Sequence, residues 1–133
     1  MNRASYLLLR LTVALSMFGH GLVRLPKLDK FSAGMVKNFE KSMLPEVLVT
    51  PFSYALPFAE LLCGVLLLLG LFTRLGLYLG GAIMLTLVLG SCLIEQWDAL
   101  PSQMIHVAFF AVLLHFLPSN SFALDNARGR RDH

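Results

Sequence analysis

Apolar and polar positions alternate along this chain in long blocks rather than in short periods. Apolar stretches cover about residues 5–23, 52–72, 75–94 and 99–117, and charged residues collect between them. A helix needs about 20 apolar residues to cross a bilayer core, so each block predicts a membrane-spanning helix. The third, Leu75–Ile94, carries no charge at all. Thr73-Arg74 joins spans two and three as a tight turn, and Glu95-Gln96-Trp97-Asp98 joins three and four. Links this short make antiparallel neighbours. Pro101 suits the first turn of the last helix, and Pro118 helps end it. The expected fold is all-α, an integral membrane four-helix bundle in a single domain over residues 1–133.

The connection between spans one and two has its own pattern. Within residues 27–44, Phe31, Met35, Phe39 and Met43 recur every four positions, with Lys30, Lys37, Glu40 and Lys41 elsewhere. This predicts a short amphipathic helix that either lies in the headgroup plane or packs as a lid on the bundle. Residues 119–133 read as a short basic tail. At the N-terminus no Ala-x-Ala-like cleavage site precedes His20, and Arg10 interrupts the apolar run, so the first span is expected to stay uncleaved.

Composition agrees. The 133 residues are 56% hydrophobic and 14% charged with mean hydropathy +0.69, well below the roughly 25% charge of soluble domains. The net charge of +3 sits in positions that suit lipid headgroups, and no nucleic-acid motif is present. Cys63 and Cys92 form no CxxC pair, so neither a disulfide framework nor a metal site is expected, and both read as small apolar packers. An even number of spans puts both termini on one side, with Arg3, Arg10, Arg74, Arg128, Arg130 and Arg131. The other side carries Arg24, Lys27, Lys30, Lys37 and Lys41. The counts are nearly balanced, and the acidic third loop favours cytoplasmic termini.

The candidate chemistry lies in polar residues inside the spans. From Val47 to Thr73 the single charged side chain is Glu60. A carboxylate near the centre of a span costs roughly 2.5–3.5 kcal/mol to insert, and such residues usually face a protein interior and act there. Thr12, Ser16, His20 and Arg24 form an i, i+4 row on the first span, and Ser102 and His106 repeat that spacing on the fourth. Gly64 lies one turn from Glu60. Measured from the face with the long connection, His20 lies about 6 Å deep, His106 about 7 Å and Glu60 about 12 Å. Ionisable groups on three helices thus fall in one half of the membrane and are expected to converge on one cavity. Arg10, about 80° round its helix from His20, is expected to reach Glu60 from the other side.

A lone buried carboxylate takes up a proton, whereas a neighbouring Arg10 holds it ionised. Glu60, His20 and Arg10 are accordingly the candidate catalytic residues, with His106, Ser16, Gly64 and Arg24 as candidate ligand-binding residues. Imidazoles relay protons near neutral pH. The blander alternatives are a structural tie between helices and histidines bonded to headgroups. His115 is half a turn out of phase with His106 and is assigned to the interface. Gly76 and Gly80 have the GxxxG spacing of close helix packing, either within the bundle or as a homo-oligomer face.

In their order, these residues resemble the DoxX family of small four-helix membrane proteins. Leu9-Arg10 followed by His20-Gly21-Leu22-Val23-Arg24 is similar to the family's opening pattern, with Arg24 in place of its usual Lys. Ala59-Glu60-Leu61-Leu62-Cys63-Gly64, then Gly70 and Thr73-Arg74, is similar to its second-helix pattern. The closing motif is partly kept, since Pro118 to Asp125 lacks the flanking glycines. The resemblance implies a bundle in a bacterial inner membrane and a link to redox chemistry, because a DoxD-type subunit belongs to a thiosulfate:quinone oxidoreductase. The function expected is a redox-associated subunit of a quinone-linked oxidoreductase. It would hold a quinone or similar small molecule, have no intrinsic cofactor, and take electrons from a membrane or soluble partner protein. The alternatives are a non-catalytic scaffold and a small-solute binding or transport protein.

Overall fold

The computed structural model describes residues 1–127; Arg128, Arg130 and Arg131 of the basic tail lie outside the described residues. The helices are α1 (Arg3–Arg24), α2 (Leu28–Asn38), α3 (Glu46–Leu69), α4 (Thr73–Leu93), α5 (Leu100–His115) and a short α6 (Leu124–Ala127). Four helical stretches, those containing α1, α3, α4 and α5, are long and apolar enough to cross a membrane. They form a four-helix bundle in which α3 packs on α1 and α4, and α5 packs on α4 and α1. Tyr6, Val13, Met17, Cys63, Leu67, Met84, Phe110 and Leu113 fill its centre. Leu8, Leu15, Leu62, Leu85 and Leu89 face outward and are exposed. Helices apolar on every face cannot sort inside from outside in water, but they can in lipid, where only the polar side chains need the interior.

The second span starts earlier than expected: α3 begins at Glu46 and runs through Pro51 and Pro57. Pro51, at the sixth position, removes the N–H that would bond the Val47 carbonyl, and Pro57 does the same to the Ser53 carbonyl. The helix ends at Gly70, whose φ of +66° is a left-handed conformation. A side chain there would also overlap Ala123. Glycine meets both demands.

At the opposite end, Pro26 and Lys27 (φ −134°) break the chain direction between α1 and α2. The segment is a lid. Its Ser32 hydroxyl bonds the Ser53 hydroxyl of α3 at 2.6 Å, and Tyr54 of α3 donates to Asp29 at 2.6 Å. Phe31 and Met35 pack on the core, and the Phe39 ring lies against Gly90 near the end of α4. The apolar stripe therefore does its work up to Phe39. Met43 lies beyond the helix and is exposed.

Candidate functional site

Two glycines set how α1 crosses α3. A Cβ on Gly21 would lie 2.6 Å from the Pro57 carbonyl oxygen, and one on Gly64 would lie 2.6 Å from Phe18 Cα. Only bare backbones fit at such a distance. This crossing fixes the axial register of the two helices and brings Arg24, the last residue of α1, beside Glu60. Arg24 Nη1 donates to Glu60 Oε1 at 2.7 Å, and Glu60 is only 2% exposed. The guanidinium also sits 4.5 Å above the Phe31 ring of the lid, a cation–π contact that orients it.

The expected Arg10–Glu60 pair does not form. Arg10 is buried near the other end of the bundle, where Nη1 donates to Asn120 Oδ1 at 2.6 Å and Nη2 to the Phe122 carbonyl at 2.8 Å. Arg10 and Arg24 are about 40° apart round α1 but about 21 Å apart along it. Helical phase alone does not choose between them; the register does. Gly64 is likewise not a ligand-facing position, because the α1 backbone fills the space above it. Gly80 lies against Phe110 and Gly76 against Leu67. The GxxxG face is thus consumed within the bundle and is not available to a second copy.

His20, Ser16 and His106 meet where α1 touches α5. Ser16 Oγ and His106 Nε2 are 2.7 Å apart, and the two imidazoles stand edge to face at 6.4 Å. Each Nδ1 lies on a carbonyl one turn back, His20 on Ser16 at 2.6 Å and His106 on Ser102 at 2.7 Å. A carbonyl only accepts, so both Nδ1 atoms carry hydrogen. In the neutral rings this leaves both Nε2 atoms as proton acceptors, with the Ser16 hydroxyl donating to that of His106. His20 is exposed at the bundle surface and His106 is half-buried.

A cavity of about 560 Å³ adjoins this cluster, on the lid side of Arg24. Its walls include Arg24, Phe31, Met35, Phe39, Phe52 and Leu87. Its size and mostly apolar lining with few polar groups are those of a small-molecule site. His20 and His106 are not on its wall, so the expected single cavity resolves into a histidine contact and a ligand-sized space. Arg24 and Glu60 stand between them. Among the described residues no cluster of His, Cys, Asp and Glu has the makings of a metal site.

Sequence reasoning missed the partners of Arg10. Asp125 accepts from the Phe72 and Thr73 N–H groups at 2.7 and 2.9 Å and from the Thr73 hydroxyl at 2.8 Å. It thereby caps α4 from 52 residues away, the role a Ser or Asp just before a helix usually fills. Asn120 donates to the Thr73 hydroxyl at 3.0 Å and ties Arg10 into the same group. The partly kept closing motif around Asp125 was the available signal.

Four membrane-length helices, a lid across one end and charged groups held inside define a small multi-pass membrane protein. A family model for DoxX matches residues 5–92, more than half of the chain, and the chain belongs to the DoxX family. The match ends before α5, so the placement of His106, Asn120 and Asp125 rests on the structure. No curated protein and no solved structure matches the chain.

Proposed function

We propose that this protein is a redox-associated subunit of a bacterial inner membrane, with cytoplasmic termini, that binds a quinone-like molecule under the lid. The observation that carries this reading is Arg24. Its guanidinium lies on the cavity wall, backed by a buried carboxylate, with one N–H on Glu60 and its other donors without protein partners among the described residues. Those donors suit a ligand carbonyl oxygen, and Phe31, Phe39 and Phe52 suit a flat ring. A neutral quinone enters such a space from the bilayer.

Reduction of a quinone consumes protons together with electrons. Electrons would come from a partner protein. Glu60 holds the guanidinium in place, and its carboxylate accepts or returns a proton as the charge beside it changes. His20, exposed at the bundle surface, and His106, bonded to Ser16, are the imidazoles of the adjoining cluster. Their Nε2 atoms are the lone-pair acceptors of the cluster. The test is mild purification followed by solvent extraction and optical spectra before and after borohydride. Quinone should leave with the wild-type protein and fall several-fold in Glu60→Gln. A wild type free of quinone, or a variant with unchanged content, would overturn the reading.

A further inference from the structure

The charge of the cavity is one-sided. Arg24 and Lys30 are the charged residues on its wall, and no carboxylate among the described residues lines it. A second cavity of about 550 Å³, also bounded by α2 and α3, carries Asp29, Glu40 and Glu46 against Lys37. The lid thus sorts its charges between two spaces. Lys30 is exposed and makes no ion pair among the described residues. Leu48 of α3 and Leu89 of α4 belong to the wall of the first cavity, yet are 60% and 61% exposed at the outer surface. The cavity therefore opens sideways toward the hydrocarbon, near the bundle end where headgroups lie.

We propose that this cavity is a binding site for an anionic phospholipid. One acyl chain enters between Leu48 and Leu89 and lies against Phe52 and Leu87, while the phosphate rests on Lys30 and the spare donors of Arg24. A cationic rim over an apolar slot is complementary to such a lipid, and a zwitterionic lipid brings its own cation against Lys30. The site needs no quinone, so it does not depend on the redox reading. If both hold, lipid is the occupant that a quinone-like ligand displaces.

The test reconstitutes the full chain into nanodiscs of phosphatidylcholine and phosphatidylglycerol. The protein is then moved into mild detergent and retained phospholipid is measured by mass spectrometry. Phosphatidylglycerol should be enriched several-fold over the starting mixture and should survive a wash with inorganic phosphate. Lys30→Glu, at an exposed position without an ion pair among the described residues, should return the ratio toward the mixture. Leu87→Trp, which fills the slot, should lower retained lipid of both classes. Retention that mirrors the mixture, or enrichment untouched by both variants, would overturn the site. Quinone content is read separately, so either proposal can fail alone.

Discussion

The two ends of the bundle handle buried charge in opposite ways. Near the termini, Arg10, Asn120, Thr73 and Asp125 interlock across α1, α4 and the C-terminal segment. Asp125 spends its carboxylate on α4, and its own N–H bonds the Gly70 carbonyl at 3.0 Å. Arg10 Nε and Ser121 Oγ are the buried polar atoms there without partners among the described residues. Under the lid, Arg24 and Glu60 share one bond, and the guanidinium, stacked on Phe31, borders the open cavity. Charge whose bonds are made to the protein's own groups stabilises it. Charge held in place with donors to spare is able to bind something else.

Four substitutions break or sharpen this contrast. Asp125→Ala should have the largest effect on stability. It strips the acceptor from two N–H groups and a hydroxyl around Phe72, whose φ of +47° is itself strained. Losing bonds to a buried carboxylate implies at least about 3 kcal/mol, read as a fall in melting temperature and yield in detergent. Gly64→Ala comes next, since a methyl group meets α1 backbone that has no free rotamer to yield. Overpacking of this kind costs about 1–3 kcal/mol. Because it shifts the register, it should also weaken the Arg24–Glu60 pair, seen as lower ligand content in the protein that still folds.

Arg24→Lys should cost less in stability and more in binding. It keeps the charge but loses the planar stack on Phe31 and the fork of donors, about 1 kcal/mol from the cation–π contact. If ligand content follows charge alone, the variant will equal the wild type and the contrast between the two ends weakens. Ser16→Ala is the smallest, about 1 kcal/mol or less, because it removes one hydrogen bond from a half-buried imidazole. Its signature is a changed ring chemical shift of His106 by NMR with little change in melting temperature.

The fold was largely legible because span length and hydropathy act locally. Each apolar block is long enough to cross by itself, and a bilayer leaves its backbone few other structures. The lid was legible as an amphipathic segment, but its choice between headgroups and bundle was not. That choice depends on Ser53, Tyr54 and Gly90, which lie on other helices. The site was half legible. Glu60, His20, Ser16, His106 and Arg24 stood out as polar residues in apolar runs, and the structure brings them to one region. Arg10 stood out equally and belongs elsewhere.

What the sequence determined alone was the number of spans, the cost of Glu60 and the presence of two arginines on nearly one face of α1. Tertiary structure decided which arginine Glu60 meets. Helical periodicity fixes angle, but the axial offset between two helices is set by where their backbones touch, here at Gly21 and Gly64. The same contact leaves Arg10 to a C-terminal segment 110 residues away, a pairing that no local pattern encodes.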